Sequence, residues 1–136
     1  MNPRILLIED NQSDIELLRT AFEEAGMQPD LMVFRDGDEA ISGVRRFAIS
    51  GEILPQLVFL DLNLPRASGH EVLAVIRQLP EFDRLPVLVL STSNHPVDRS
   101  RCLAAGASDY LVKPPHFSAL LTLIEKVARR WLPEST

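Results

Sequence analysis

The sequence predicts an α/β fold in which a five-stranded parallel sheet is flanked by five helices. Five short apolar runs recur along the chain, and each is followed by a longer segment whose apolar residues have helical spacing. Strands that alternate with helices form βαβ crossovers, which cover both faces of a mostly parallel sheet. With 136 residues, of which 46% are hydrophobic, the chain has enough material for one compact core and too little for two. We therefore expect a single domain over residues 1–136, without an output domain.

The expected strands are the five apolar runs, at residues 4–8, 31–34, 57–60, 86–90 and 109–112. The third run, LVFL, leads directly into Asp61. Such a run is typical of a strand buried on both faces, where an isolated ionised carboxylate is very costly. Asp61 is therefore expected at the end of its strand, at a site open to water or to a cation.

Helix signals fill the segments between these strands. In the first segment, Ser13 and Glu16 match an S-x-x-E capping box, an apolar stripe begins at Ile15, and Gly26 ends the helix. The remaining helices are expected at residues 37–50, 69–79, 96–105 and 117–132.

The composition argues against several classes of function. A net charge of -5 with scattered basic residues argues against a nucleic-acid surface. No apolar stretch is long enough to span a membrane, and the N-terminus lacks the pattern of a signal peptide, so we expect a cytoplasmic protein without a membrane partner. The single cysteine, Cys102, excludes an intramolecular disulfide, and its context CLAAG predicts a buried helical thiol.

Polar and charged residues follow the ends of four predicted strands. They are Glu9 and Asp10 after the first strand, Asp61 after the third, Ser91 and Thr92 after the fourth, and Lys113 after the fifth. The carboxyl ends of parallel strands lie at one edge of the sheet, so these side chains are expected to converge there. Three converging carboxylates repel one another and raise each other's pKa, which a hard cation relieves. Mg²⁺ fits best, because it prefers oxygen ligands and uses one or two carboxylates together with phosphate oxygens.

Lys113 is an independent indication of phosphate chemistry. The chain has twelve arginines and only two lysines, and an ammonium group offers a compact point charge instead of a planar fork. A carboxylate beside a metal ion, an ammonium group and a hydroxyl can attack a phosphoryl group, whose oxygens the cations neutralise. We therefore predict that Asp61 forms an aspartyl phosphate, with Lys113 and Ser91 beside it.

Four segments resemble the receiver domain of bacterial two-component response regulators. They are LLIEDN (6–11), LDLNLPRASGHEVL (60–73), LSTS (90–93) and YLVKP (110–114). The resemblance covers nearly the whole chain and implies a flavodoxin-like receiver fold with the strand order 2-1-3-4-5. It also implies a phosphoacceptor rather than an enzyme, with at most self-phosphorylation from small donors and slow autodephosphorylation. In this family the peptide bond before the proline, here Lys113-Pro114, is usually cis.

The same resemblance assigns roles to the residues at the strand ends. Asp61 would accept the phosphoryl group, Lys113 would pair with it, and Ser91 would be the switch hydroxyl. Tyr110 would be the aromatic switch that turns inward in the active state. The implied Mg²⁺ site consists of Asp10, Asp61 and the main-chain carbonyl of Asn63, with Glu9 assisting largely through water.

The resemblance also implies partners. LLIEDNQSDIELL and LSTSN are similar to the stand-alone regulators that serve phytochrome-type sensor histidine kinases. The implied phosphoryl donor is a sensor histidine kinase that docks beside an exposed Leu17, and the output is a protein contact or onward relay through a histidine phosphotransfer protein. Core packing is the default for Trp131 and Leu132, which close an amphipathic helix, but Leu123, off the main apolar stripe, would join them in an exposed apolar seam. We expect a homodimer through the fourth helix, the fifth strand and the fifth helix.

Three other functions compete with this interpretation. A haloacid-dehalogenase-type phosphatase needs a second acid two residues after its nucleophile, where this chain has Asn63. A flavodoxin-like cofactor binder needs a phosphate loop rich in Gly, Ser and Thr after the first strand, where Glu9 and Asp10 would repel phosphate. A receiver-like binding module that is never phosphorylated usually lacks one of the acidic or lysine positions, and none is lost here.

Overall fold

Five strands alternate with five helices in the computed structural model, which describes residues 2–132. The strands are β1 (Arg4–Ile8), β2 (Asp30–Phe34), β3 (Leu57–Asp61), β4 (Val87–Ser91) and β5 (Asp109–Val112). The helices are α1 (Gln12–Glu24), α2 (Gly37–Ser50), α3 (Gly69–Gln78), α4 (Pro96–Ala104) and α5 (Phe117–Trp131), with a short 3₁₀ helix at Pro80–Phe82. Within the described part of the chain, no helix combines the length and apolar composition that crossing a bilayer requires.

The strands form one parallel sheet in the order β2-β1-β3-β4-β5, which confirms the predicted fold class and strand order. Every residue of the central strands β3 and β4 is buried, whereas the edge strand β2 alternates between exposed and covered positions. Parallel strands buried on both faces read as continuous apolar runs, which is why LVFL and VLVL carried a strong signal. Since all strands point the same way, their carboxyl ends share one edge.

Alternate residues of each strand serve two apolar cores. Leu6 and Ile8 face a cluster that includes α2, α3 and the buried thiol of Cys102 on α4. Ile5 and Leu7 face a second cluster that includes α1 and α5. The prediction that Cys102 is a buried helical thiol is confirmed. The sheet is therefore held from both sides, which fixes the positions of its strand ends.

The start of α1 differs from the predicted capping box. The N-cap is Asn11, whose side-chain oxygen accepts a hydrogen bond from the backbone N–H of Asp14 at 3.0 Å. Ser13 and Glu16 both lie inside the helix, so the prediction of a Ser13 cap is wrong. Asn caps helices as well as Ser does, so a helix that starts one residue after Asn11 is two residues longer than predicted and keeps a good cap.

The predicted apolar seam on α5 is also wrong. Leu132 is 4% exposed, and Leu123 and Trp131 are partly buried against the α1/α5 core. Alongside α1, these side chains find apolar partners, so burial is favoured over exposure. The large exposed apolar side chains of α4, β5 and α5 are instead Val97, Leu103, Val112 and Phe117.

The expected cis bond at Lys113-Pro114 is absent, as residues 2–132 contain no cis peptide bond. The trans form of an X–Pro bond is favoured by roughly 0.5–1 kcal/mol, so a trans bond needs no compensating contact. The backbone N–H of Lys113 donates to the Ser91 carbonyl at 2.6 Å, which ties this segment to β4.

Arg77 ties the end of α3 to two loops. Its Nε donates to the Gly106 carbonyl at 2.8 Å, and its two Nη atoms donate to the carbonyls of Phe82 and Leu85, each at 2.9 Å. Burial lowers the pKa of the Arg77 guanidinium below its ordinary value, although Asp83 opposes the shift. These contacts hold α3 and the α4–β5 connection at a fixed separation.

We predict that Arg77→Ala lowers the free energy of unfolding by about 2 kcal/mol, because three carbonyls lose a charged donor. Urea denaturation followed by circular dichroism measures the change. The matched control is Arg45→Ala on the exposed surface of α2, for which the change should stay within about 0.5 kcal/mol. Equal losses in the two variants would contradict a stabilising role for the Arg77 contacts.

Candidate functional site

The carboxyl edge of the sheet gathers the residues that the sequence singled out. Glu9 follows β1 directly, Asp61 and Ser91 are the last residues of β3 and β4, and Lys113 follows β5. Asp61 pairs in register with Leu90, the residue before Ser91, on the neighbouring strand. The strand order therefore brings together residues from four separate parts of the chain.

Three carboxylates form a cluster at this edge. One oxygen from each of Glu9, Asp10 and Asp61 lies within 4.8 Å of the other two. Glu9 is 2% exposed and Asp61 6% exposed, while Asp10 is open to solvent. Two buried carboxylates and one solvent-accessible carboxylate form a set of hard oxygen ligands with an open side. This donor set fits a divalent cation such as Mg²⁺, which keeps part of its water shell.

Asn63 lies next to this cluster. Its backbone N–H donates to Asp61 Oδ1 at 2.9 Å, which orients the Asp61 carboxylate. The role predicted for the Asn63 carbonyl as a metal ligand stays a prediction.

Lys113 contacts three carboxylates at once. Its Nζ lies 2.8 Å from Glu9 Oε1, 2.9 Å from Asp14 Oδ2 and 3.1 Å from Asp61 Oδ2. The Lys113 side chain is 16% exposed, so these ion pairs are shielded from much of the solvent. All three N–H bonds of the ammonium group are used, which fixes the direction of a side chain that is otherwise flexible.

Burial and the neighbouring charges together raise the pKa values of both Glu9 and Lys113. Burial, together with the hydrogen bond and repulsion from Asp61, raises the pKa of Glu9 to about 7, although Lys113 opposes the shift. Burial lowers the pKa of Lys113, but hydrogen bonds to Glu9 and Asp14 and attraction to Glu9 and Asp61 outweigh it and raise the pKa above its usual value. Lys113 is therefore a permanent cation, whereas the charge of Glu9 depends on pH near neutrality.

The loop after β3 is held close to Asp61 by a glycine. The backbone N–H of Gly69 donates to the Leu62 carbonyl at 3.1 Å. A Cβ atom at this position would lie 2.5 Å from the Asp61 carbonyl oxygen and 2.6 Å from the Leu62 Cα atom. A larger residue at position 69 would therefore push α3 away from the end of β3.

A second network connects Ser91 to Tyr110 and α4 through Ser93. Ser91 is 2% exposed, and its Oγ accepts from the Ser93 N–H at 3.1 Å. The Tyr110 hydroxyl donates to the Ser93 carbonyl at 2.7 Å, and the Ser93 hydroxyl donates to Asp98 on α4. Tyr110 is 3% exposed and already lies inward. Its hydroxyl therefore bonds to the β4–α4 loop and not to the carboxylate cluster.

Sequence reasoning missed Asp14 and Ser93 as parts of these networks. Asp14 lies between the two residues of the predicted capping box and was given no role of its own, but its carboxylate contacts Lys113. A usable signal existed, because Asp14 is only four residues after Asp10, in the first turn of a helix that starts at the same edge. Ser93 gave no signal beyond its place two residues after Ser91.

Comparison with known proteins agrees with the site. A family model described as the response regulator receiver domain matches residues 5–125. The chain is 38% identical over 128 residues to the probable methanogenesis regulatory protein FilR2 of Methanothrix harundinacea, over 94% of this chain and 83% of FilR2. Several other curated relatives are transcriptional regulators, of which the chain spans about half the length.

Two solved structures extend the comparison. The response regulator Rcp1 of Synechocystis is 33% identical over 136 residues, covering 97% of this chain and 90% of Rcp1. Its Mn²⁺-bound structure covers 98% of this chain and 97% of that chain with a TM-score of 0.84. The phosphorylated cyanobacterial phytochrome response regulator RcpA is 34% identical, with a TM-score of 0.87 over 100% of this chain and 98% of that chain.

The raised pKa of Glu9 predicts a stability that falls as pH rises. From the ordinary value of 4.5 up to about 7, the folded protein keeps a proton that the unfolded chain releases, so stability present at acid pH is lost on approaching neutrality. Without divalent cations, we expect Glu9→Gln to be more stable than the wild type by about 1–3 kcal/mol near pH 8. The difference should shrink towards pH 4.5.

Urea unfolding at a series of pH values, with EDTA present, measures this difference. Glu24→Gln, at the exposed end of α1, is the matched control and should show little change at any pH. A stability difference between Glu9→Gln and the wild type that does not vary with pH would contradict the assignment.

Proposed function

The chain belongs to the response regulator receiver domain family, and we propose that Asp61 accepts a phosphoryl group from the phosphohistidine of a sensor histidine kinase. The observation that carries the proposal is the contact of Lys113 Nζ with Asp61 Oδ2 inside a cluster of carboxylates. A buried carboxylate held against a permanent cation has a fixed direction of attack. A merely structural ion pair would not explain the two further acids beside it.

Mg²⁺ is the proposed cofactor, held by the carboxylates of Glu9, Asp10 and Asp61 and by the main-chain carbonyl of Asn63. The donor set of oxygen atoms with an open, solvent-facing side supports this assignment. The Mn²⁺-bound form of the similar protein Rcp1 supports it too. When bound, the metal ion supplies positive charge to the phosphoryl oxygens.

The residues of the chain then have distinct roles in the transfer. An oxygen of Asp61 forms a bond to phosphorus while the bond from phosphorus to the imidazole nitrogen of the kinase histidine breaks, and the electron pair stays with the imidazole. The Asn63 N–H holds the other Asp61 oxygen. Lys113 donates to the transferred phosphoryl group, whose charge is spread over its oxygens. No change in oxidation state occurs, and Asp61 ends as an acyl phosphate.

Ser91 and Tyr110 are the proposed switch residues. Ser91 Oγ accepts from the Ser93 N–H, so a Ser91 that turns towards a phosphoryl group would exchange this hydrogen bond. Tyr110 and Asp98 are both hydrogen-bonded to Ser93, so a movement of Ser93 would be transmitted to α4. Phosphorylation in this scheme shifts the balance between two conformations of the α4–β5–α5 surface, with a coupling on the order of 1–3 kcal/mol.

The kinase is proposed to dock at the start of α1. Leu17 is 44% exposed and lines a cavity with Leu18, Pro114 and Leu120, directly beside Asp14 and Lys113. An apolar surface next to the acceptor carboxylate is suited to a helical hairpin that carries the phosphohistidine. The similarity to RcpA supports a phytochrome-type kinase as the donor.

Residues 2–132 form one receiver domain, whose proposed output is a protein contact or onward relay to a histidine phosphotransfer protein. The exposed apolar side chains Val97, Leu103 and Val112 support a homodimer through α4, β5 and α5. In this proposal the protein is a signalling phosphoacceptor. Any catalysis is limited to its own phosphorylation from small donors and slow loss of the phosphoryl group.

We predict that the wild type gains one phosphoryl group when it is incubated with acetyl phosphate or phosphoramidate in the presence of Mg²⁺. Intact-protein mass spectrometry measures the gain. Asp61→Asn should show no gain, because an amide is a far weaker nucleophile than a carboxylate. Asp30→Asn, an exposed acid at the opposite end of the sheet, is the matched control and should behave as the wild type does.

Folded wild-type protein that gains no phosphoryl group from either donor would contradict the proposal and favour a receiver-like module that binds without phosphorylation. Release of inorganic phosphate in many turnovers, without a stable adduct, would favour a phosphatase of the haloacid-dehalogenase type.

A further inference from the structure

Asp14 binds the functional lysine from a position outside the carboxylate cluster. Its Oδ2 accepts from Lys113 Nζ at 2.9 Å, although the two residues are 99 positions apart in sequence. The cluster of carboxylates that could hold a metal contains Glu9, Asp10 and Asp61, and Asp14 is not a member of it. We propose that Asp14 is a positioning residue that holds the Lys113 ammonium group over Asp61 during phosphoryl transfer. This inference rests on the proposed function of Asp61 and Lys113.

The other two partners of Lys113 are needed elsewhere in the reaction. Glu9 belongs to the proposed metal site, and Asp61 is the nucleophile itself. Once their oxygens serve the cation and the phosphoryl group, Asp14 is the carboxylate that still holds Lys113. A lysine has a flexible four-carbon stem with several rotamers, so its ammonium group needs a fixed partner to point in one direction. Asp14 supplies that partner from the first turn of a packed helix.

Helix capping does not explain the Asp14 carboxylate. The helix dipole favours an acidic residue in the first turn of a helix. This explains why position 14 is an aspartate, but not why the Asp14 side chain points towards Lys113. The N-cap of α1 is Asn11, which accepts from the Asp14 backbone N–H. The Asp14 carboxylate is therefore free of capping and contacts Lys113 instead.

The surroundings strengthen this ion pair. The Asp14 side chain is 38% exposed and Lys113 is 16% exposed, so solvent reaches the pair from one side. The other side borders the cavity lined by Leu17, Leu18, Pro114 and Leu120. Apolar walls reduce screening by water, so the pair holds better than an ion pair on an open surface. The contact also connects α1 to the segment between β5 and α5.

The test separates binding of metal from binding of phosphoryl groups. Three variants are compared with the wild type: Asp14→Ala, Asp14→Asn and Asp38→Ala. Asp38 is an exposed acid in the first turn of α2, so its removal reproduces the change in charge at a helix start away from Lys113. The measurements are the rate of phosphorylation by phosphoramidate, the affinity for beryllofluoride as a phosphoryl analogue, and the affinity for Mg²⁺ by calorimetry.

For Asp14→Ala we expect phosphorylation to be about threefold to tenfold slower, and beryllofluoride affinity to fall by a similar factor, in line with a partly exposed charged hydrogen bond. Mg²⁺ affinity should fall by a clearly smaller factor than the phosphorylation rate, because Asp14 is not one of the proposed ligands. Asp14→Asn keeps an acceptor oxygen and should recover much of the rate. Asp38→Ala should match the wild type.

Asp14→Ala protein that is phosphorylated at or above the wild-type rate would overturn the inference. So would an equal loss in Asp38→Ala, which would indicate a general effect of charge, or a loss of Mg²⁺ affinity as large as the loss of rate. A wild type that accepts no phosphoryl group would instead contradict the proposed function on which the inference rests.

Discussion

The ammonium group of Lys113 joins parts of the chain that are far apart in sequence. It contacts Glu9 after β1, Asp14 on α1 and Asp61 at the end of β3. The backbone N–H of the same residue donates to the carbonyl of Ser91 on β4. Without this cation, carboxylates that the sheet forces together would repel one another. Burial and Asp61 raise the pKa of Glu9 even though Lys113 contacts it and opposes the shift. The negative charges at this edge of the sheet outnumber the positive charge of Lys113, so the edge is suited to bind a divalent cation.

Most of the site could be predicted because it depends on strand ends. Once LVFL and VLVL are recognised as buried parallel strands, the residues after them must share one edge of the sheet. That rule predicted that Asp61 and Ser91 lie at the same edge, and the pairing of β3 with β4 makes them neighbours. The alternation of apolar runs with helices predicted the fold class, whereas the strand order came from the family resemblance, and the structure confirms both.

The wrong and missed predictions concern features that the spacing of apolar residues does not determine. The contact of Asp14 with Lys113 was missed because Asn and Ser are both good N-caps. Whether Asn11 or Ser13 caps α1 decides where the helix starts, and therefore which way the Asp14 carboxylate points. The α5 seam was wrong because Leu123 and Leu132 find partners on α1, which the pattern of one helix cannot show. The peptide bond at Pro114 was expected from family resemblance alone, and no physical signal in the sequence determined its isomer.

The most direct measurement is competitive acylation of the two lysines of the folded protein with a limiting amount of acetic anhydride, followed by peptide mass spectrometry. Lys126, on the exposed face of α5, is the internal reference. We predict that Lys113 reacts at least about tenfold more slowly than Lys126, because a shift of one pKa unit already reduces the reactive neutral amine tenfold. The two lysines should react alike after unfolding in urea. Equal acylation of Lys113 and Lys126 in the folded protein would contradict a cation held by three carboxylates.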